Sequence, residues 1–288
     1  MTQPNLILLT GSSGLIGKSL AAFLRKKGYE ILPCPRDLSL VKDRLEGLFA
    51  VIHLAGENIA KGFWTKKKKQ RILQSRKEGT RRLVHLLQGL QIPPQVFIST
   101  SAAGFYGDRE DVADEESGPG TGFLSLVCQE WESEALALKN NKTRIVIARL
   151  GYVLSSKGGF LHSLIPLFKY GLGMKIGKHK PIIPWVSLED VLRGFEFLLQ
   201  NKDLQGPVNI VSPYPVSQSV FAKALAHQLK RPLLFFVPRC FLIGEKAKAL
   251  LFPSIPVCPR ALQKAGFIFS FPKIEDALKK ALFQESPF

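Results

Sequence analysis

Thr10-Gly11-Ser12-Ser13-Gly14-Leu15-Ile16-Gly17 directly follows the apolar run Leu6-Ile7-Leu8-Leu9 and directly precedes a helix-like stretch, Lys18 to Lys27. A strand that feeds a glycine-rich turn into a helix leaves the first amides of that helix unpaired, with the positive end of the macrodipole behind them. A phosphate fits there. Gly11 permits the tight turn, Gly14 lets a pyrophosphate approach the backbone, and Gly17 lets the helix lie close on the sheet. The spacing is Gly-x-x-Gly-x-x-Gly rather than Gly-x-Gly-x-x-Gly, and the strand before and helix after it favour a dinucleotide site over a plain βα turn. Gly11, Ser12, Ser13, Gly14, Leu15 and Ile16 are the candidate phosphate-binding residues.

Outward from that turn, short β-rich runs alternate with helical patterns. The strands are expected at Leu6 to Thr10, Tyr29 to Cys34, Phe49 to Leu54, Gln95 to Thr100, Arg144 to Leu150 and Pro207 to Val211. The helices fall at Leu15 to Lys27, Thr65 to Gln88, Phe123 to Leu138 and Leu188 to Leu199. Strand runs that are apolar throughout, separated by helices, predict an α/β fold with a doubly wound parallel sheet covered on both faces. Thr65 is a reasonable N-cap for the lysine run Lys66 to Lys69. After about Leu154 the pattern loosens into glycine- and proline-rich sequence, the kind of loop-rich C-terminal part in which substrate-binding elements sit.

The chain has 288 residues, 45% of them apolar, enough for a real core. No stretch has the makeup of a secretory signal, and every apolar run is far shorter than the roughly 20 residues of a membrane span, so a cytoplasmic protein is expected. Cys34, Cys128, Cys240 and Cys258 show neither paired spacing nor neighbouring histidines, which implies free thiols and no metal site. The formal net charge is +17. Ten of the basic residues fall between Lys61 and Arg82 with only Glu78 opposing them, while Asp108 to Glu134 is strongly acidic. No basic motif with interleaved aromatics is present, so the excess reads as a solvated helix face plus attraction for an anionic small molecule, with no specific nucleic acid and no membrane as partner.

At the end of the second strand an acid would hold a ribose 2′-hydroxyl and an arginine would accommodate a 2′-phosphate. The sequence there is Pro35-Arg36-Asp37-Leu38. Arg36 favours NADP, and Asp37 keeps NAD as the lesser alternative. The third strand ends His53-Leu54-Ala55-Gly56, where small residues let the backbone approach the cofactor ribose. His53 reads as a satisfied core histidine rather than a base. The fourth strand ends Ser99-Thr100-Ser101-Ala102-Ala103-Gly104-Phe105-Tyr106. Hydroxyls at that end are candidates for a substrate oxygen: Ser101 first, with Tyr106 as a contact whose pKa a nearby cation would have to lower. The alternative, that Ser99, Thr100 and Ser101 satisfy turn backbone, stands beside it.

With these residues laid out, the chain resembles the extended short-chain dehydrogenase/reductase superfamily and, within it, the atypical sugar-nucleotide-epimerase-like members of the NAD-dependent epimerase/dehydratase family. The carrying motifs are Thr10 to Gly17, His53 to Ile59, Ile72 to Arg76 with Gly79 to Leu83, Ser101 to Gly107, Trp131-Glu132 and Arg149-Leu150-Gly151. Gly244-Glu245, Pro259-Arg260, Ala265-Gly266-Phe267 and Ala277-Leu278 look like that family's short C-terminal module. The resemblance implies an NADP-binding Rossmann core over residues 1–155, with a further strand and helix near 187–211. It implies a small substrate-side lobe over 156–186 and 212–288. It adds Leu38, Leu54, Ala55, Gly56, Arg76 and Leu150 to the cofactor-binding set. The superfamily's Tyr-x-x-x-Lys pair falls on Leu124 and Cys128, neither of which does that work. Ser187 stands where relatives often have histidine. Two functions follow. One is an NADP-dependent epimerase-like oxidoreductase acting on a hydroxyl or keto group of an anionic metabolite, nucleotide-linked or otherwise, with Ser101 holding the reacting oxygen and Tyr106 or a water donating the proton. The other is a non-catalytic NADP-binding sensor or interaction module, monomeric or homodimeric in either case.

Overall fold

In the computed structural model the described residues are 3–35, 37–60, 62–140, 142–176, 181–233, 235–237 and 253–284. Arg36, Cys240 and Gly244-Glu245 lie outside them. Strand β1, Gln3–Thr10, leads through the glycine turn into helix α1, Leu15–Lys26. Then come β2 Glu30–Pro33, β3 Leu48–His53, α2 Lys66–Gln88, β4 Val96–Ala102, α3 Phe123–Leu136 and β5 Arg144–Leu150. Short elements follow: β6 Tyr152–Leu154, α4 Gly159–Lys169, β7 Met174–Ile176, β8 Ile182–Ile183 and β9 Trp185–Ser187. Helix α5, Leu188–Gln200, then returns the chain to β10, Gly206–Ile210.

Six strands form one parallel sheet in the order β10-β5-β4-β3-β1-β2. This is the doubly wound sheet expected from the sequence, with every anticipated sheet strand and flanking helix in place. Strand order reverses between β1 and β3, and in open α/β sheets ligands bind in the crevice outside the carboxyl ends at that point. The continuous apolar runs have a simple cause. Along β1, Ile7 and Leu9 enter the core that contains α1 and α5, while Leu6 and Leu8 enter the opposite core beneath α2. With period-two alternation, both faces of such a strand must be apolar.

Local signals fix the helix starts. The Thr65 side chain accepts from the Lys68 amide at 3.2 Å, as its position before the lysine run predicts. Ser187 caps α5 by accepting from the Asp190 amide at 2.9 Å and donating to the Asp190 carboxylate at 2.7 Å. Asp190 in turn accepts from the amides of Ser270 and Phe271 at 2.6 and 3.1 Å, which docks the C-terminal tail on α5.

The tail folds back onto the sheet in two places. Segment 253–258 runs beside the acidic loop 108–117: the Ala113 amide donates to Pro256 at 2.8 Å and the Cys258 amide donates to Ala113 at 2.9 Å. Phe267 then packs into the α1/α5 core, and Ala277 and Leu278 of the terminal helix Ile274–Phe283 pack with Trp185 and α6, Gln218–Gln228. No helix among the described residues is long and apolar enough to cross a membrane. Among the described residues, no three His, Cys, Asp or Glu side chains are grouped so as to hold a metal ion.

Candidate dinucleotide and substrate site

The glycine turn is packed to the limit of what a glycine allows. Gly11 has φ +66°, and a Cβ there would stand 2.8 Å from the Leu54 carbonyl carbon. A Cβ on Gly17 would stand 2.2 Å from the Gly11 carbonyl oxygen. The turn, the start of α1 and the end of β3 are therefore in backbone contact, which only glycine permits. Gly14 is the N-cap of α1, no side chain caps it, and no acid lies in the first turn. The leading amides of α1 thus keep both their hydrogen-bonding capacity and the positive helix end for an external anion. Ser13 and Gly14 are exposed beside them.

Below this turn, β1 and β3 are laced together by Thr10. Its Oγ1 accepts from the amides of Leu54 and Ala55 at 3.1 and 3.2 Å and lies 2.7 Å from His53 Nδ1. Since the hydroxyl accepts from two amides, its proton goes to Nδ1. The remaining imidazole proton then sits on Nε2, 3.0 Å from Thr80 Oγ1. His53 is buried, and burial pushes its pKa down to about 4, so it is neutral and structural. That agrees with the sequence reading.

Beyond the carboxyl ends of β4 and β5 lies a cavity of about 150 Å³. Its walls include Ala102 at the end of β4 and Gly104 after it, Leu124, Cys128 and Trp131 on α3, and Leu150 at the end of β5. Leu124 and Cys128, the residues at the Tyr-x-x-x-Lys positions, therefore both reach the cavity. Burial raises the Cys128 thiol to about 11, so it is neutral. Arg76 enters from α2. Its Nη1 donates to the carbonyls of Glu57 and Ile72 at 3.1 and 3.2 Å, and its guanidinium lies 4.9 Å from the Trp131 ring centroid. Gly56 makes room for it, because a Cβ there would meet Cζ at 3.0 Å.

Ser101 and Tyr106 are brought together behind the cavity wall, through one buried ion pair. Arg149 Nη2 meets Glu132 Oε2 at 2.8 Å, and Nε donates to Oε1 at 2.9 Å. Ser101 Oγ donates to that same Glu132 Oε1 at 2.6 Å. Tyr106 accepts from Arg149 Nη1 at 2.9 Å and donates to Asn209 Oδ1 at 2.8 Å. Burial raises the Tyr106 phenol to about 12 despite the pull of Arg149 beside it. Thr100 donates to the His53 carbonyl at 2.8 Å, the turn-satisfying role weighed for these hydroxyls. Glu132 and Arg149 entered the sequence reading only through family motifs. The available signal was a charge inside a wholly apolar strand run, Ile145 to Leu150, since a buried charge requires a partner.

Elsewhere among the expected cofactor contacts, Leu38 packs partly buried against the β2 side of the core and Leu54 against the α1 side. Arg36 lies outside the described residues.

A doubly wound sheet whose glycine turn and bare helix N-terminus meet the ends of β1 and β3 defines a dinucleotide-binding fold. Comparison with known proteins agrees. Residues 7–212 match the NAD dependent epimerase/dehydratase family, and residues 236–281 match a domain of unknown function, DUF1731. The chain is 33% identical over 298 residues to the epimerase family protein ML0860 of Mycobacterium leprae, covering 97% of this chain and 96% of that one. It is 30% identical over 293 residues to the epimerase family protein SDR39U1 of Bos taurus, covering 96% and 99%. The crystal structure of human SDR39U1 (isoform 2) with NADPH superimposes with a TM-score of 0.90 at 26% identity, covering 96% of this chain and 98% of that one. The chain belongs to the NAD dependent epimerase/dehydratase family.

Proposed function

We propose that this chain binds NADP(H) along Gly11–Gly17 and Leu54–Gly56 and acts as an oxidoreductase on a hydroxyl or keto group of a small metabolite. The observation that carries the reading is the cradle itself: the uncapped start of α1 and a turn in which a Cβ at Gly11 or Gly17 would strike backbone. NADPH in the human SDR39U1 structure supports the choice of nucleotide, and Arg36 supplies the residue type for a 2′-phosphate. When bound, the dinucleotide supplies or accepts a hydride. The chain's own residues bind and orient it: the α1 amides face the pyrophosphate, and Leu38 walls the adenine side. Leu150 and Ala102 border the cavity in which the reacting carbon would lie.

Ser101 and Tyr106 serve this site as positioning residues. Their hydroxyls hold Glu132 and Arg149, which fix the turn after β4 and the end of β5 around the cavity. A proton for the substrate oxygen then comes from water, because the Tyr106 phenol is committed to Asn209. A second reading, a non-catalytic NADP(H) sensor or interaction module, is favoured by Leu124 and Cys128 at the cavity wall, which offer no acid or base near neutral pH. Residues 1–155 with 187–211 make the nucleotide-binding unit in either reading, and the remainder supplies the substrate side.

Calorimetric titration with NADPH and NADH, on wild type and Arg36→Ala, tests the proposal. NADPH is expected to bind at least tenfold more tightly than NADH, with the preference lost in the variant. Binding of neither nucleotide would overturn it. Turnover of a panel of carbonyl compounds separates the two readings.

A further inference from the structure

The lysine run at the start of α2 is uniform in sequence but not in structure. Lys66 and Lys67 are exposed, whereas Lys68 is 6% exposed. A cation in the first turn of a helix opposes the macrodipole, and a buried cation needs a partner. That partner is Glu57, whose Oε1 accepts from Lys68 Nζ at 2.6 Å. An apolar side chain of similar size would fill the same space at least as favourably, so the pair calls for a use other than stability.

Helix α2 grips residue 57 at three points. The Glu57 amide donates to Ser75 Oγ at 3.0 Å, its carbonyl accepts from Arg76 Nη1 at 3.1 Å, and its carboxylate meets Lys68. Lys68 and Ser75 are two helical turns apart, so these grips lie along one face of α2. Arg76 lines the cavity beyond β4 and β5 beside Gly56, in the Leu54–Gly56 stretch given above to the nucleotide. Glu57 follows that stretch directly. With its carbonyl already on Nη1, a glutamate is long enough to turn its carboxylate from Lys68 to the same guanidinium by a change of rotamer. Arginine–carboxylate pairs are strong and often bidentate, so that turn would neutralise the cation at the nucleotide. The charges already act on one another: the Lys68 hydrogen bond holds the Glu57 carboxyl below its ordinary range, and Arg76 adds to the pull.

We infer that Lys68 is a positioning residue for the nucleotide: it holds the Glu57 carboxylate away from Arg76 and so leaves that guanidinium open to the nicotinamide half of NADP(H). The inference rests on the reading that NADP(H) lies along Gly11–Gly17 and Leu54–Gly56, which brings its reacting end to the cavity that Arg76 lines. Lys68 itself touches neither nucleotide nor substrate and acts through Glu57.

Titration of the full-length protein with NADPH and with 2′,5′-ADP, which lacks the nicotinamide half, tests this. Lys68→Met is expected to weaken NADPH by about tenfold, within the usual range of coupling between neighbouring residues, and 2′,5′-ADP by less than about twofold. Adding Glu57→Gln to Lys68→Met removes the competing charge and is expected to return NADPH affinity to within about twofold of wild type, as neighbouring sites that act through one group are not additive. Lys68→Arg, which keeps the cation, is expected to retain wild-type affinity. Unchanged NADPH affinity in Lys68→Met, an equal loss for both ligands, or a loss that Glu57→Gln does not restore would overturn the inference. Should Lys68→Met not fold, Glu57→Gln alone decides: affinity at or above wild type is expected, and a tenfold loss would show that the carboxylate itself is needed. A further readout needs no nucleotide. The Arg76 guanidinium lies 4.9 Å from the Trp131 ring centroid, so the Trp131 indole N–H resonance, assigned with Trp131→Phe, is expected to shift in Lys68→Met and to return in the double variant. An unmoved resonance would contradict the inference. If wild type binds no NADPH, the proposed function falls, and this resonance still decides whether Lys68 governs the guanidinium.

Discussion

His53 and the Glu132–Arg149 pair show how single residues hold the site, and both lead to measurable consequences. His53 is held neutral by burial, with a folded pKa of about 4 against an ordinary 6.5. Below pH 6.5 the unfolded chain takes up a proton that the folded chain refuses. Stability from this group is therefore complete above pH 6.5 and falls as the pH drops toward 4, by about 3 kcal/mol in all. Denaturant unfolding between pH 7 and 4 is expected to show that loss, and His53→Gln is expected to flatten it. Glu132→Gln leaves the Arg149 charge buried without its partner, for an expected cost of about 3–5 kcal/mol, whereas surface Lys77→Gln, which breaks the half-buried pair with Glu130, costs under about 1 kcal/mol. Equal losses in the two variants would contradict the assigned burial. The type of residue at 53 and 101 was readable from sequence, but their partners were not. Ser101 and Glu132 are 31 residues apart, and only the packing of α3 on β4 makes them neighbours.

Elements were the most legible scale. Strands buried on both faces must be apolar throughout, so β1, β3, β4 and β5 announce themselves as runs, and Thr65 and Ser187 mark helix starts by their capping chemistry. Thr65→Ala is expected to cost about 1 kcal/mol by the usual worth of an N-cap, measured by chemical unfolding. Gly17→Ala tests a stronger constraint. The new methyl would lie 2.2 Å from the Gly11 oxygen, so α1 must move off the turn, for an expected 1–3 kcal/mol of overpacking, about the usual range. NADPH affinity is expected to fall at least tenfold with it, and unchanged affinity would remove the turn from the site. The short strands β6, β8 and β9 were not legible, because two- or three-residue strands carry no periodicity.

At the scale of the whole molecule, the C-terminal tail closes what the sheet leaves open. Segment 253–258 is bonded to the loop 108–117 and to Ile182, Ile255 completes the cavity wall, and Phe267 enters the α1/α5 core. Sequence resemblance anticipated a module here but not its contacts, since the pairing of Ala113 with Val257 spans half the chain. Truncation after residue 252 is expected to expose Phe195, Trp185 and their neighbours, and to replace the cooperative near-ultraviolet transition with dye-binding, loosely packed material. A truncated chain that unfolds as cooperatively as wild type would show that the tail is dispensable. On the exposed flank, Lys77 pairs with Glu130 and Arg81 with Glu134, so part of the basic excess of α2 is neutralised by α3 within one chain.

The most direct test of the account is amide NMR of the labelled protein titrated with NADPH. NADP(H) binding at the glycine turn requires large shifts confined to Gly11–Gly17, Leu54–Gly56 and the end of β5, saturating together. Shifts located elsewhere, or none at millimolar NADPH, would contradict it.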